Sequence, residues 1–113
     1  MVKWATNLIY FLASTNGGSS WSTSSISATG ITGNDLTIDA IDEYTIFVAA
    51  KSGSSDLRFW KSINAGSSWT SSTVESAGDV GNDPEIDAID ANTIFISYFS
   101  STTDDLLFAK STN

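Results

Sequence analysis

The chain repeats itself. The stretch STNGGSSW, Ser14 to Trp21, returns as SINAGSSW, Ser62 to Trp69, and STN appears a third time at Ser111 to Asn113. Shifting the sequence by ~48 residues also aligns Gly33-Asn34-Asp35 with Gly81-Asn82-Asp83, IDAID at 38–42 with 86–90, and TIF at 45–47 with 93–95. A unit of this length cannot enclose a core alone, so its apolar surface has to be buried against other copies of the unit.

Inside one unit the local signals are all β. LTIDAID, TIFVAA, DLRFW and SWTSSTV are short segments separated by Gly, Asn, Asp and Ser clusters, and no window carries a helical period. TIFVAA and TIFISYF are nearly continuous apolar runs, which predicts strands covered on both faces. LRFWKSIN at 57–64 recurs as LLFAKSTN at 106–113, with one extra residue in the loop before it, and as IYFLASTN at 9–16. With four strands per unit lettered A to D from the inside, the chain reads C, D, A, B, C, D, A, B, C. Residues 1–113 thus form a single unit of two repeats, about 14–61 and about 62–110, with partial third-strand copies at both termini. The expected fold is all-β, made of four-stranded antiparallel sheets arranged as β-propeller blades, two per chain.

Composition removes many functions. Hydrophobic residues are 41% of the chain and four Trp are present, enough for a core. With no Cys and no His, disulfides, thiolate nucleophiles, Cys/His zinc sites and histidine bases are excluded, and no cofactor is expected. A formal charge of −8 repels phosphate backbones and anionic lipid, so nucleic acid is not an expected partner. No apolar run approaches the roughly 20 residues of a membrane-crossing helix, and LIYFLA near the start is read as a strand and not as part of a leader. The Ser/Thr-rich, acidic, cysteine-free composition suits an extracellular or surface protein.

The residues that repeat most closely resemble a known family. STNGGSSW and SINAGSSW are similar to the Asp-box, or BNR repeat, SxDxGxTW, found in the propellers of sialidases and sortilin-like receptors, and IDAIDANTIFISYF with LLFAKSTN resembles the strands that flank it. The resemblance covers nearly the whole chain. It implies a structural role for Ser14, Asn16, Gly18, Ser20 and Trp21 and for Ser62, Asn64, Gly66, Ser68 and Trp69: the Ser opens the hairpin between the third and fourth strands, the Gly supplies permissive backbone angles, and the Trp packs against the hairpin. Asn16, Asn64 and Asn113 stand where the family has Asp; Asn keeps the side-chain acceptor that a tight turn uses and loses the charge.

Two repeats cannot close a ring of roughly 4 to 8 blades. The chain is therefore expected to assemble with itself, with a homotrimer of six blades ranked first, each chain's terminal A and B strands completed by C and D of the next. Sialidase chemistry on the family pattern needs three arginines, and the chain has one, Arg58, so no enzymatic activity is expected. The expected function is a binding module, with carbohydrate as the ligand class because aromatic rings stack on the apolar faces of sugars while Asp and Asn accept their hydroxyls, and several equivalent sites convert weak binding into avidity. Trp4, Arg58, Trp60 and Tyr98 are candidate ligand-binding residues: Trp4 lies outside the motif and the others differ between repeats, while the simpler expectation for each is that it fills space between blades. The pairs Asp39/Asp42 and Asp87/Asp90, with Asp35 and Asp83, have the pattern of glycosidase carboxylates or calcium ligands, with Asp35, Asp39, Asp83 and Asp87 the metal candidates; the simpler expectation puts Asp35 and Asp83 in GND turns and has Asp42 and Asp90 cap the turn between strands A and B. A piece of a larger Asp-box glycosidase, and a purely structural or engineered repeat without a ligand, are the alternatives.

Overall fold

The computed structural model describes residues 8–27 and 31–113, and among them there is no helix. Nine strands follow one another: β1 (Leu8–Ala13), β2 (Ser22–Ser27), β3 (Ile31–Ala40), β4 (Ile46–Ser52), β5 (Leu57–Ser62), β6 (Thr70–Glu75), β7 (Asn82–Ala88), β8 (Ile94–Ser100) and β9 (Asp105–Ser111). They form three antiparallel sheets, β1-β2, β3-β4-β5-β6 and β7-β8-β9, every pairing between sequence neighbours. The chain is all-β, and its strands group two, four and three, as the C, D, A, B reading of the repeat expects.

The sheets pack face to face in chain order. Ile9 and Ile26 of the first sheet meet Val48, Ala50 and Trp60 of the second in one core. On the opposite face of the second sheet, Phe47, Ala49 and Leu57 meet Ile86, Ile94, Ile96 and Tyr98 of the third, with Val80 closing the cluster from the connecting loop. Alternation along β5 explains the division of labour: Leu57 and Phe59 point one way, Arg58 and Trp60 the other.

The continuous apolar run TIFVAA behaves as expected, since Ile46 to Ala50 of β4 are all buried. TIFISYF does not. In β8 burial alternates: Ile94, Ile96 and Tyr98 lie in the core, while Phe95, Ser97 and Phe99 face outward half-covered. The difference is one of neighbours, because the second sheet has a sheet on each side and the third has one.

The GND segments correct the sequence reading. They are bulges inside strands and not turns between them. In β3 the register passes from Ile31 opposite Ser52 directly to Leu36 opposite Ala50, and in β7 from Asn82 opposite Phe99 to Glu85 opposite Ser97, with Asp83 at a φ of 47°. The buried Pro84 falls in the second bulge, on an edge strand, where a missing N–H costs no ladder bond. Lys51, opposite the first bulge, reaches the second: its Nζ is 2.6 Å from Asn82 Oδ1 and 2.6 Å from Asp79 Oδ1.

Asp42 and Asp90 do cap the turns that follow β3 and β7. Asp42 Oδ1 accepts from the amides of Tyr44 (2.8 Å) and Thr45 (2.7 Å), and Asp90 Oδ1 from those of Asn92 (2.8 Å) and Thr93 (2.7 Å). These amide bonds hold both carboxyls below their ordinary value of 3.8. A depressed folded pKa contributes stability above the unfolded value and loses it as pH falls through the folded one. The expected result of denaturant titrations is that the advantage of the wild type over an Asp42→Ala, Asp90→Ala double variant is constant above about pH 5 and shrinks below about pH 4. An advantage that grows on acidification would contradict this capping.

Candidate functional site

The repeated Ser-x-Asn-x-Gly-x-Ser-Trp segments build the same hydrogen-bonded turn twice. Ser14 Oγ accepts from the amide of Gly18 (2.8 Å) and donates to Asn16 Oδ1 (3.0 Å); Asn16 Oδ1 also accepts from the amide of Ser20 (3.0 Å), and Asn16 Nδ2 donates to Ser20 Oγ (2.8 Å). Ser62, Asn64, Gly66 and Ser68 repeat this set at 2.8, 3.0, 2.9 and 2.8 Å. Asn supplies the acceptor oxygen of a carboxylate and, from its nitrogen, a donor for the Ser hydroxyl. Ser111 Oγ begins the third copy by donating to Asn113 Oδ1 (3.3 Å).

The two Trp of these turns have different surroundings. Trp69 is half-buried, donates from Nε1 to Gly66 O (3.1 Å) and meets Phe11 of the first sheet edge-on, with centroids 5.5 Å apart and planes at 72°. Trp21 lies close to Gly18 but is 59% exposed.

Beside Trp69 runs a groove of about 260 Å³ between the first and second sheets, lined by Ser25, Ile26, Trp60, Ser67, Ser68, Trp69 and Ser71. Two indoles and four Ser residues line it, with one aliphatic side chain, Ile26. Flat apolar faces next to exchangeable donors and acceptors match a sugar ring, which has an apolar face and a hydroxyl edge. A second groove, also about 260 Å³, lies between the second and third sheets and is more apolar: Phe59, Val74, Ile94, Ile96 and Ala109 form most of it, with Ser72 and Lys110 at its edge.

The residues singled out from sequence fall in different places. Trp60 is a core residue, 4% exposed, and shows the groove beside Trp69 one edge of its ring. Arg58 lies along the same face of β5, its guanidinium 5.9 Å from the Trp60 ring and its Nη2 3.5 Å from Ser71 Oγ. Tyr98 is 5% exposed in the core between the second and third sheets; burial, and then the Glu75 carboxylate, push its phenol up. It packs against the core and does not open to a ligand. Trp4 lies outside the described residues.

The acidic candidates do not converge. Among the described residues no group of three or more His, Cys, Asp or Glu is placed to hold a metal ion. Asp35 and Asp83 sit in the bulges. Both oxygens of Asp39 serve the backbone, Oδ1 accepting from Ala40 (2.9 Å) and Oδ2 crossing to the amide of Ala88 in the third sheet (2.7 Å). Asp87, its repeat counterpart, stands exposed on β7.

The Ser-rich hairpin wall and the Phe59 groove were missed at the level of sequence. The available signal was the small residue and not the large one: Leu12, Trp60 and Ala109 share one repeat position, and Ala109 leaves space in the second groove.

No protein-family model matches the chain, and no curated protein matches it either.

Proposed function

We propose that this chain is a non-catalytic, self-assembling β-propeller unit of the Asp-box kind, three copies closing a six-blade ring, and that the assembly binds carbohydrate. The observation that supports assembly is the unequal burial of repeat-equivalent apolar residues. Ile38 is 52% exposed where Ile86 is 8% exposed, and Leu106 is 78% exposed where Leu57 is fully buried. Ile38 lies on β3 of the second sheet, towards the two-stranded first sheet, and Leu106 on β9 of the third; each counterpart is covered where the neighbouring sheet has strands opposite it. At about 25 cal/mol per Å², leaving such faces in water is costly, and a second copy presents the complementary end.

Carbohydrate is supported by the groove of Trp60, Trp69 and the Ser hydroxyls. A ring would carry it several times over, so weak single-site binding would become avidity. The expected result on an array of immobilised glycans is selective retention of the wild type, lost in Ser71→Phe, which fills the groove from an exposed position on β6 opposite Trp60. Retention that survives Ser71→Phe would place the site elsewhere, and no retention on any glycan would favour a structural assembly without this ligand.

A further inference from the structure

The first and second sheets display, within one chain, how neighbouring repeats lock together. Trp69 at the start of β6 reaches back to the ring of Phe11 on β1. One repeat on, the counterpart of Phe11 is Phe59, and Phe59 lines the apolar groove of Val74, Ile94, Ile96 and Ala109. The Trp that would complete this second contact belongs just before a fourth strand of the third sheet, which holds three strands, β7, β8 and β9. One repeat back, the counterpart of Trp69 is Trp21, 59% exposed on the first sheet, with no preceding sheet among the described residues to supply its Phe. Trp21 and the Phe59 groove are thus the two unmatched halves of one contact, at opposite ends of the same molecule.

We propose that Trp21 of a second copy of this chain seats against Phe59 in that groove, bringing its β2 to the fourth-strand position of the β7-β8-β9 sheet. This rests on the self-assembly reading and names the residue pair that anchors it. The in-chain contact supplies the template, an edge-on pair with centroids 5.5 Å apart. β1 and β9 carry the same repeat segment, so one of them holds the third position beside β8. In either case β2 follows outside it, and Trp21 arrives at the same place. Seating Trp21 would also bring Ser19 and Ser20, the counterparts of Ser67 and Ser68, to the junction.

The test is a dilution series of the full chain followed by sedimentation and Trp emission. Trp21 is exposed in the protomer, so Trp21→Ala should fold normally and raise the midpoint concentration for dissociation about tenfold or more, as loss of a central aromatic anchor does. Trp21→Phe should recover most of the loss, and Ser72→Arg, an exposed position at the edge of the groove, should weaken assembly from the other side. Tyr44→Ala, 57% exposed and lining neither groove, should leave the midpoint unchanged. Wild-type protein that assembles with the same midpoint as Trp21→Ala and Ser72→Arg would overturn the Trp21 assignment while leaving self-assembly standing. Wild-type protein that stays a protomer at every concentration would overturn both.

Discussion

Phe47→Ala is expected to cost about 3–5 kcal/mol, the usual range for emptying a large aromatic site in a close-packed core. Phe47 is fully buried, stacks on Phe59 with centroids 6.0 Å apart, and sits at the centre of the cluster joining the second and third sheets. Against a typical domain stability of roughly 5–15 kcal/mol, that loss leaves a marginal fold. Phe95 is the same residue one repeat later, stacked on Phe108 at 5.6 Å, and it stands half-covered on the outer face of the third sheet. Phe95→Ala should cost much less in dilute protomer, because much of the ring is already in water. If chains assemble as proposed, the face carrying Phe95 would be covered and the two costs should converge. Denaturant titrations of both variants at low and high protein concentration decide this; a ratio of costs that does not change with concentration would speak against burial of Phe95 by a second copy.

Gly66→Ala should be the most damaging single change in the hairpin turns, and Gly18→Ala is its internal control. Both glycines have left-handed backbones, φ of 84° and 89°, so each alanine meets about 1–2 kcal/mol of strain. A Cβ on Gly66 would also lie 2.6 and 2.8 Å from two ring carbons of Phe11, whereas one on Gly18 would meet only Trp21, at 3.7 Å. Phe11 cannot withdraw freely, since its ring is held edge-on against Trp69. The clash adds about 1–3 kcal/mol, the ordinary cost of overpacking. Thermal or urea unfolding should therefore rank Gly66→Ala well below Gly18→Ala, and equal losses would mean that the Phe11 contact does not constrain the turn.

Much of this architecture was legible from the repeat, because each strand and turn is specified by local chemistry that occurs at least twice. The Ser-x-Asn-x-Gly-x-Ser turn could be read because its bonds join residues two to four apart, and the caps at Asp42 and Asp90 because they act two and three residues ahead. The GND segments were misread because Gly, Asn and Asp serve a bulge as well as a turn, and only the pairing partner across the sheet distinguishes them. β8 was read as covered on both faces because its side chains are as apolar as those of β4; burial depends on which sheet lies beside it, and periodicity does not carry that. The grooves were invisible for the same reason. Trp60 attracts attention as an aromatic that varies between repeats, yet its bulk fills the first interface, and it is Ala109 at the matching position that opens the second.

The central claim is that the open ends of this chain close on copies of itself in threefold symmetry. The most direct measurement is the solution mass by light scattering at low micromolar concentration, against a protomer of 12.0 kDa. Three protomers correspond to about 36 kDa, and the account predicts a single species of that mass. A monodisperse protomer, or a ladder of masses that grows with concentration without closing, would contradict it.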